Sequence, residues 1–149
     1  MLKGIPNILP PELLKLLMEM GHGDELVLAD GNFPAASTAS RLVRCDGHAI
    51  PALLDAILQL MPLDQYVPRP VALMEVVPGD PVDTPIWKRY QETIVRHGGP
   101  KEPFEQMERF AFYERAKRAY AVVATGEGAQ YANLILKKGV IREGDADAH

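Results

Sequence analysis

The chain has 149 residues, of which 47% are hydrophobic and 24% are charged, and its formal net charge is −4. These proportions are typical of a globular domain, and the single cysteine excludes a disulfide-stabilised scaffold. The slight acidity argues against nucleic-acid binding, which requires a basic face to neutralise phosphates. No apolar run approaches the ~20 residues that cross a bilayer, and the N-terminus lacks a signal-peptide pattern. We therefore expect a cytoplasmic protein.

Helical and strand patterns alternate along the chain. Apolar residues at helical spacing predict helices that begin at Pro11 and that cover 51–61, 84–97 and 103–119. Short apolar runs predict strands over 25–29, 41–45, 71–77, 120–124 and 132–136. This alternation indicates an α/β sandwich, in which helices cover both faces of one sheet. We expect one domain over residues 1–141 and a frayed polar tail over 142–149.

The pattern over 103–119 is the longest predicted helix. Arg109 and Tyr113 share a face of it, so a guanidinium and a phenol can surround a polar ligand. An aromatic stripe at this spacing is more often core, an alternative that applies to Phe110 and Phe112. The residues expected on its buried side are Phe104, Met107, Phe110, Ala111 and Tyr113. The residues expected to face solvent are Arg115, Lys117 and Arg118.

His22 lies between Gly21 and Gly23, after a predicted helix and before a predicted strand. The flanking glycines leave the imidazole unshielded, and a histidine can donate or accept a proton at cellular pH. This pattern favours a proton-transfer group. The alternative is a helix end at which His22 follows the capping glycine and faces solvent.

Further polar candidates lie at the ends of predicted strands. Asp30 follows the strand over 25–29, and ligands of open α/β sheets bind beyond the carboxyl ends of strands. Its carboxylate can accept hydrogen bonds from sugar hydroxyls or orient a histidine, and it can also cap the turn that it begins. Tyr131, Ala132 and Asn133 lie where a glycine-containing loop meets the last strand. The amide of Asn133 both donates and accepts, which suits hydroxyl recognition.

Several common sites are missing from the sequence. It has no phosphate-binding loop, no complete dinucleotide fingerprint and no Gly-x-Ser-x-Gly elbow, and Cys45 lacks partners at zinc spacing. None of these patterns therefore points to a nucleotide cofactor or to a zinc ion. The other histidines are less favoured, since His48 follows a glycine in a turn, His149 is in the tail, and the helix dipole explains His97.

Four separated motifs resemble those of the family that contains the L-fucose mutarotases and the D-ribose pyranases. The first is Gly-His-Gly-Asp-Glu at 21–25, and the second is Asp30 with Asn-Phe-Pro-Ala at 32–35. The third is Arg-Phe-Ala-Phe-Tyr-Glu-Arg-Ala at 109–116, and the fourth lies within 123–140. The resemblance covers about residues 1–140. Arg109 and the aromatic residues after it favour the fucose branch.

The resemblance implies a mutarotase that needs no cofactor and no metal, folded as a three-layer α/β/α sandwich with a central mixed sheet. It matches His22 to the family's proton donor, and Asp30, Arg109 and the Tyr-x-Asn segment 131–133 to its substrate contacts. Tyr113 is a further candidate for binding or proton transfer. Family members assemble as decamers of two pentameric rings with sites near subunit interfaces, so we expect a homodecamer that binds a monosaccharide.

This sequence departs from the fucose branch at two positions. Gly31 stands where that branch commonly has alanine, and Ala132 where some members have glycine. If that position required a positive φ, alanine would cost about 1 kcal/mol.

Three other functions use the same kind of pocket. The first is a non-catalytic sugar-binding accessory protein, and the second is pyranose–furanose interconversion of D-ribose. The third is a metal-dependent isomerase, although His22, Asp24 and Asp30 lack a recognisable ligand spacing. The residues alone leave these alternatives open.

Overall fold

The computed structural model describes residues 1–145. Within them, one mixed sheet has six strands: β1 Glu25–Ala29, β2 Leu42–Cys45, β3 Val71–Met74, β4 Phe104–Met107, β5 Ala121–Thr125 and β6 Leu134–Lys137. Five helices accompany it: α1 Pro11–Glu19, α2 Ala35–Thr38, α3 Ile50–Leu58, α4 Pro85–Arg96 and α5 Arg109–Arg118. The predicted α/β fold with a mixed sheet is confirmed.

The strand order is β2-β5-β1-β6-β3-β4. Strand β6 is antiparallel to both of its neighbours, and all other pairs are parallel. The carboxyl ends of five strands and the start of β6 therefore lie at one edge of the sheet, which we call the carboxyl edge. The opposite edge, where β1 begins and β6 ends, is the amino edge.

Helices cover both faces of the sheet because its central strands are apolar on both sides. In β1, Leu26 and Leu28 pack in the core formed with α1, α3 and α4. Val27 and Ala29 point to the other face, where they pack with Phe112 of α5. The three layers hold both ends of β1 in fixed positions, and the site candidates lie at these ends.

The prediction of one helix over 103–119 is wrong. Residues 104–107 form β4, which pairs in parallel with β3, and the helix begins only at Arg109. The backbone hydrogen bonds of this pairing outweigh the local helical pattern, and the Glu108 carboxylate caps α5 by accepting from the Ala111 N–H at 3.1 Å. Arg109 therefore begins a helix at the carboxyl edge.

The new boundary changes which side chains of this segment are buried. The alternative that the aromatic residues form part of the core is correct for Phe112, which is buried. It is wrong for Phe110, which is 63% exposed. Ala111, expected on the buried side, is exposed. Arg115 was expected in solvent, but it is mostly buried because it binds the carboxylates of Glu25 and Glu105.

Other boundaries differ by a few residues. The strand predicted over 71–77 ends at Met74, and the helix predicted over 51–61 ends at Leu58. The short helix α2 was not predicted. At the C-terminus, Arg142 and Asp145 form a hydrogen-bonded turn. Residues 146–149 lie outside the described residues, so the frayed tail stays a prediction. None of the described helices is long and apolar enough to cross a membrane.

Candidate functional site

Five of the predicted site residues meet at the carboxyl edge. They line a cavity of about 240 Å³, together with apolar side chains that include Phe33 and Met74. The five residues are Asp30, Arg109, Tyr113, Tyr131 and Asn133. Carboxylate, guanidinium, amide and phenol groups beside an apolar wall suit a small molecule with several hydroxyl groups.

Asp30 is held from two sides where β1 ends. Its backbone N–H donates to Asn133 Oδ1 at 2.7 Å, and its Oδ1 accepts from the Asn32 N–H at 3.0 Å. It therefore caps the turn and also lines the cavity. Burial raises the pKa of Asp30, against the opposing hydrogen bonds from the Asn32 and Phe33 N–H groups.

The segment 131–133 is fixed by the aromatic residues of α4. Trp87 Nε1 donates to the Tyr131 carbonyl at 2.7 Å, and the Tyr90 hydroxyl donates to the Ala132 carbonyl at 2.8 Å. The Tyr131 hydroxyl in turn donates to Asp80 at 2.6 Å, in the loop after β3. This hydrogen bond raises the pKa of Tyr131, so the phenol keeps its proton.

The two departures from the fucose branch have simple structural explanations. Among the described residues, Tyr131 alone of the non-glycine residues has a positive φ, at 54°, so Ala132 carries no such strain. At Gly31, an added Cβ would lie 3.2 Å from the Glu127 carbonyl oxygen, which is closer than an ordinary contact. The glycine therefore allows the loop after β5 to approach the end of β1.

Helix α5 brings Arg109 and Tyr113 to the cavity on one face, as predicted. The Arg109 guanidinium lies over the Phe110 ring, 4.8 Å from its centroid. The Tyr113 ring packs against Phe33 at a centroid distance of 5.6 Å. A cationic donor and an apolar wall therefore stand side by side at the start of this helix.

His22 lies at the amino edge, away from the other candidates. Residues 23–29, which include all five residues of β1, separate it from Asp30, and a strand of five residues is ~17 Å long. Within one chain, the carboxylate that binds the imidazole is that of Asp64, at 3.0 Å from Nε2. The expectation that Asp30 orients a histidine is therefore wrong for the histidine of its own chain.

Sequence reasoning missed four residues that support these positions: Asp64, Asp80, Trp87 and Tyr90. The two aromatic residues are three apart in α4, a spacing that normally indicates only core packing. Asp80 follows Pro-Gly and Asp64 precedes a loop, so both look like ordinary turn residues. Their roles depend on contacts with distant parts of the chain. Among residues 1–145, no three His, Cys, Asp or Glu side chains are grouped to hold a metal ion.

Comparison with known proteins agrees with this fold. Residues 3–141 match the RbsD / FucU transport protein family. The chain belongs to this family. A human protein named fucose mutarotase is 56% identical, over 94% of each chain. The structure of the fucose mutarotase of Streptococcus pneumoniae in complex with L-fucose is 57% identical, covers 95% of this chain and 100% of that chain, and has a TM-score of 0.90. FucU of Bifidobacterium longum is 59% identical, covers 94% and 100%, and has a TM-score of 0.92.

Proposed function

We propose that this protein is an L-fucose mutarotase, an isomerase that interconverts the α and β anomers of the sugar. The observation that carries this proposal is the polar cavity at the carboxyl edge, in a chain 57% identical to a fucose mutarotase crystallised with L-fucose. Strong identity over nearly the whole chain favours L-fucose over ribose as the substrate. A purely sugar-binding protein would instead bind L-fucose without accelerating anomer exchange.

Mutarotation proceeds through the open-chain aldehyde. The anomeric hydroxyl loses its proton, the bond between C1 and the ring oxygen breaks, and the ring oxygen takes up a proton. Reclosure on the other face of the carbonyl reverses these steps. Groups that accept and donate one proton are therefore sufficient, and each typically contributes ~10²–10⁴-fold to the rate.

The carboxyl edge supplies the groups that hold the sugar. Asp30 accepts from a hydroxyl, and Arg109 donates to sugar oxygens. Because Asn133 Oδ1 already accepts from the Asp30 N–H, its amide N–H groups remain as donors. Tyr131 and Tyr113 border the same cavity, and Ala132 fixes the spacing between Tyr131 and Asn133. Phe33 provides a surface for the apolar face of the sugar.

The proton-transfer group in this proposal is His22 of a second copy of the chain. One strand length separates His22 from the cavity of its own chain, and the His22 side chain is 47% exposed, so a neighbouring copy can reach it. An assembly that brings the amino edge of one copy to the cavity of the next completes the site. We propose the decamer of two pentameric rings as this assembly, located in the cytoplasm. Its mass by analytical ultracentrifugation should be about ten times that of one chain.

The decisive measurement is saturation-transfer NMR between the anomeric protons of L-fucose, with and without the protein. We expect faster exchange with the wild type, a loss with His22→Ala, and no loss with His48→Ala. His48 is a matched control because it is also an exposed histidine that follows a glycine. Binding without faster exchange would favour the accessory protein, and preference for D-ribose in competition would favour the pyranase. A loss of exchange with EDTA would favour the metal-dependent isomerase.

A mixing experiment tests the shared site. His22→Ala and Asp30→Asn are each expected to be inactive, and oligomers co-assembled from equal amounts of both should regain about a quarter of the sites. Each regained site combines His22 from one chain with Asp30 from another. If the mixture stays as inactive as its components after proven co-assembly, both residues act within one chain or not at all.

A further inference from the structure

We propose that Asp64 is a positioning residue for His22: its carboxylate holds Nε2 and leaves Nδ1 to exchange protons with the sugar. This inference rests on the proposed function, in which His22 transfers the proton. Asp64 would be a further residue of the site, and it lies in none of the four motifs found in the sequence.

Asp64 is itself held rigidly. Its backbone N–H donates to the Lys137 carbonyl at 2.9 Å, at the end of β6. Its Oδ1 accepts from the Tyr66 N–H at 3.0 Å, which closes a local turn, and it also accepts from His22 Nε2 at 3.0 Å. The side chain is only 4% exposed, so the carboxylate has one position rather than many.

The turn that carries His22 is tied to the same strand end. The Gly23 N–H donates to the Lys138 carbonyl at 2.9 Å, and the Lys138 N–H donates to the Asp24 carbonyl at 2.9 Å. The Lys138 ammonium also donates to the Met20 carbonyl at 2.6 Å. Residues 137 and 138 therefore hold Asp64 and His22 in one frame, which fixes the imidazole relative to the carboxylate.

An ionised carboxylate only accepts hydrogen bonds, so the imidazole nitrogen that faces it must carry hydrogen. Although burial acts to raise it, the pKa of Asp64 is lowered by hydrogen bonds from the Tyr66 N–H and from His22. With Nε2–H directed at Asp64, Nδ1 is the nitrogen that accepts a proton from the sugar. The carboxylate then stabilises the imidazolium until that proton is returned, as the aspartate of a serine-protease triad does.

A second histidine–aspartate pair in the chain shows what an ordinary surface pair looks like. His97 Nε2 lies 2.7 Å from Asp55 Oδ1, between α4 and α3. There the histidine is 20% exposed and the aspartate 39%, whereas His22 is 47% exposed and Asp64 4%. Asp55 also binds Arg96. Of these two pairs, the one at the amino edge combines a buried carboxylate with an imidazole presented to the outside.

The test compares Asp64→Asn with the matched control Asp55→Asn. Asparagine can still close the turn with the Tyr66 N–H, so the fold is kept while the charge is removed. We expect kcat for L-fucose exchange to fall roughly 10–100-fold, as for loss of a supporting carboxylate, with KM nearly unchanged. Asp55→Asn should have the kcat and KM of the wild type. Ring ¹⁵N NMR of His22 should show the Nε2–H tautomer in the wild type and a mixture of tautomers in Asp64→Asn.

The outcomes separate this inference from the proposed function. Full activity and an unchanged tautomer in Asp64→Asn, with His22→Ala inactive, would overturn the role of Asp64 alone. Full activity in His22→Ala would instead overturn the assignment of His22. If Asp64→Asn does not fold, the wild-type spectrum still decides, because an Nδ1–H tautomer contradicts the proposal. Asp64→Glu, which keeps the charge, should retain more activity than Asp64→Asn.

Discussion

The two ends of β1 carry different parts of one proposed site. At the carboxyl edge, Asp30 is buried and its neighbours line a cavity with several hydrogen-bonding groups. At the amino edge, His22 is half-exposed and bound to a single buried carboxylate, that of Asp64. The first arrangement suits recognition of a ligand, and the second suits presentation of one reactive group. The two tasks are therefore built separately in each chain.

Strand β6 supports both ends. Because it runs antiparallel to β1, Asn133 just before its start binds Asp30, while Lys137 at its end binds Asp64 and Lys138 just after it binds the turn that carries His22. Both arrangements depend on this strand, although they lie a strand length apart. Substitutions at its two ends should therefore affect different steps of the reaction.

The largest effects are expected from His22→Ala and Arg109→Ala, which should impair the exchange rate and the sugar affinity respectively. His22→Ala should lower the exchange rate at saturating L-fucose ~10²–10⁴-fold and leave sugar binding nearly intact. Arg109→Ala should mainly weaken binding, by about 1.5–3 kcal/mol, because it removes hydrogen bonds from a charged donor. Exchange NMR and calorimetric titration measure the two quantities. Equal losses of rate and affinity in both variants would contradict the division between the two edges.

A substitution at the amino edge tests how closely the segment that carries Asp64 must pack. In Gly139→Ala, the added Cβ would lie 2.4 Å from the Leu63 carbonyl oxygen, so backbone must move. We expect the free energy of unfolding to fall by about 1–3 kcal/mol, as in other overpacked sites. Gly128→Ala is the control, since its Cβ would meet nothing within 4 Å. Denaturant unfolding at equal protein concentration compares them, and equal stabilities would show that the segment adapts.

At the carboxyl edge, Asn133→Ala should affect stability as well as binding. It removes the acceptor of the Asp30 backbone N–H, and a buried donor left without a partner costs about 1–3 kcal/mol. We expect a lower midpoint of denaturant unfolding together with weaker L-fucose binding. Weaker binding at unchanged stability would mean that water replaces the lost acceptor.

The smallest effect is the pH dependence of stability that Asp30 introduces. Burial raises the pKa of Asp30, so between its ordinary and raised pKa the folded chain holds a proton that the unfolded chain has lost. Wild-type stability should therefore rise, relative to Asp30→Asn, as the pH falls from neutral toward the ordinary aspartate pKa of about 4. At neutral pH, Asp30→Asn should be at least as stable as the wild type, although it no longer binds the sugar. A stability difference that does not change with pH would contradict this.

The sequence predicted the local parts of this arrangement well. The apolar run over 25–29 forms β1 with the predicted boundaries, and Asp30 and Asn133 do lie at the strand ends that face the cavity. These features depend on residues that are close together in the chain. Residues 104–107 were misassigned because their strand exists only through pairing with β3, more than thirty residues earlier.

By itself, the sequence determined the alternation of helices and strands, the family, and the chemical groups available at each strand end. Tertiary structure alone decided that β6 runs antiparallel, which brings Asn133 to Asp30 and the Lys137–Lys138 pair to Asp64 and His22. It also decided that His22 and Asp30 stand at opposite edges. Apolar periodicity reports which side of an element is buried, but strand order and direction depend on contacts between distant segments, which local patterns do not encode.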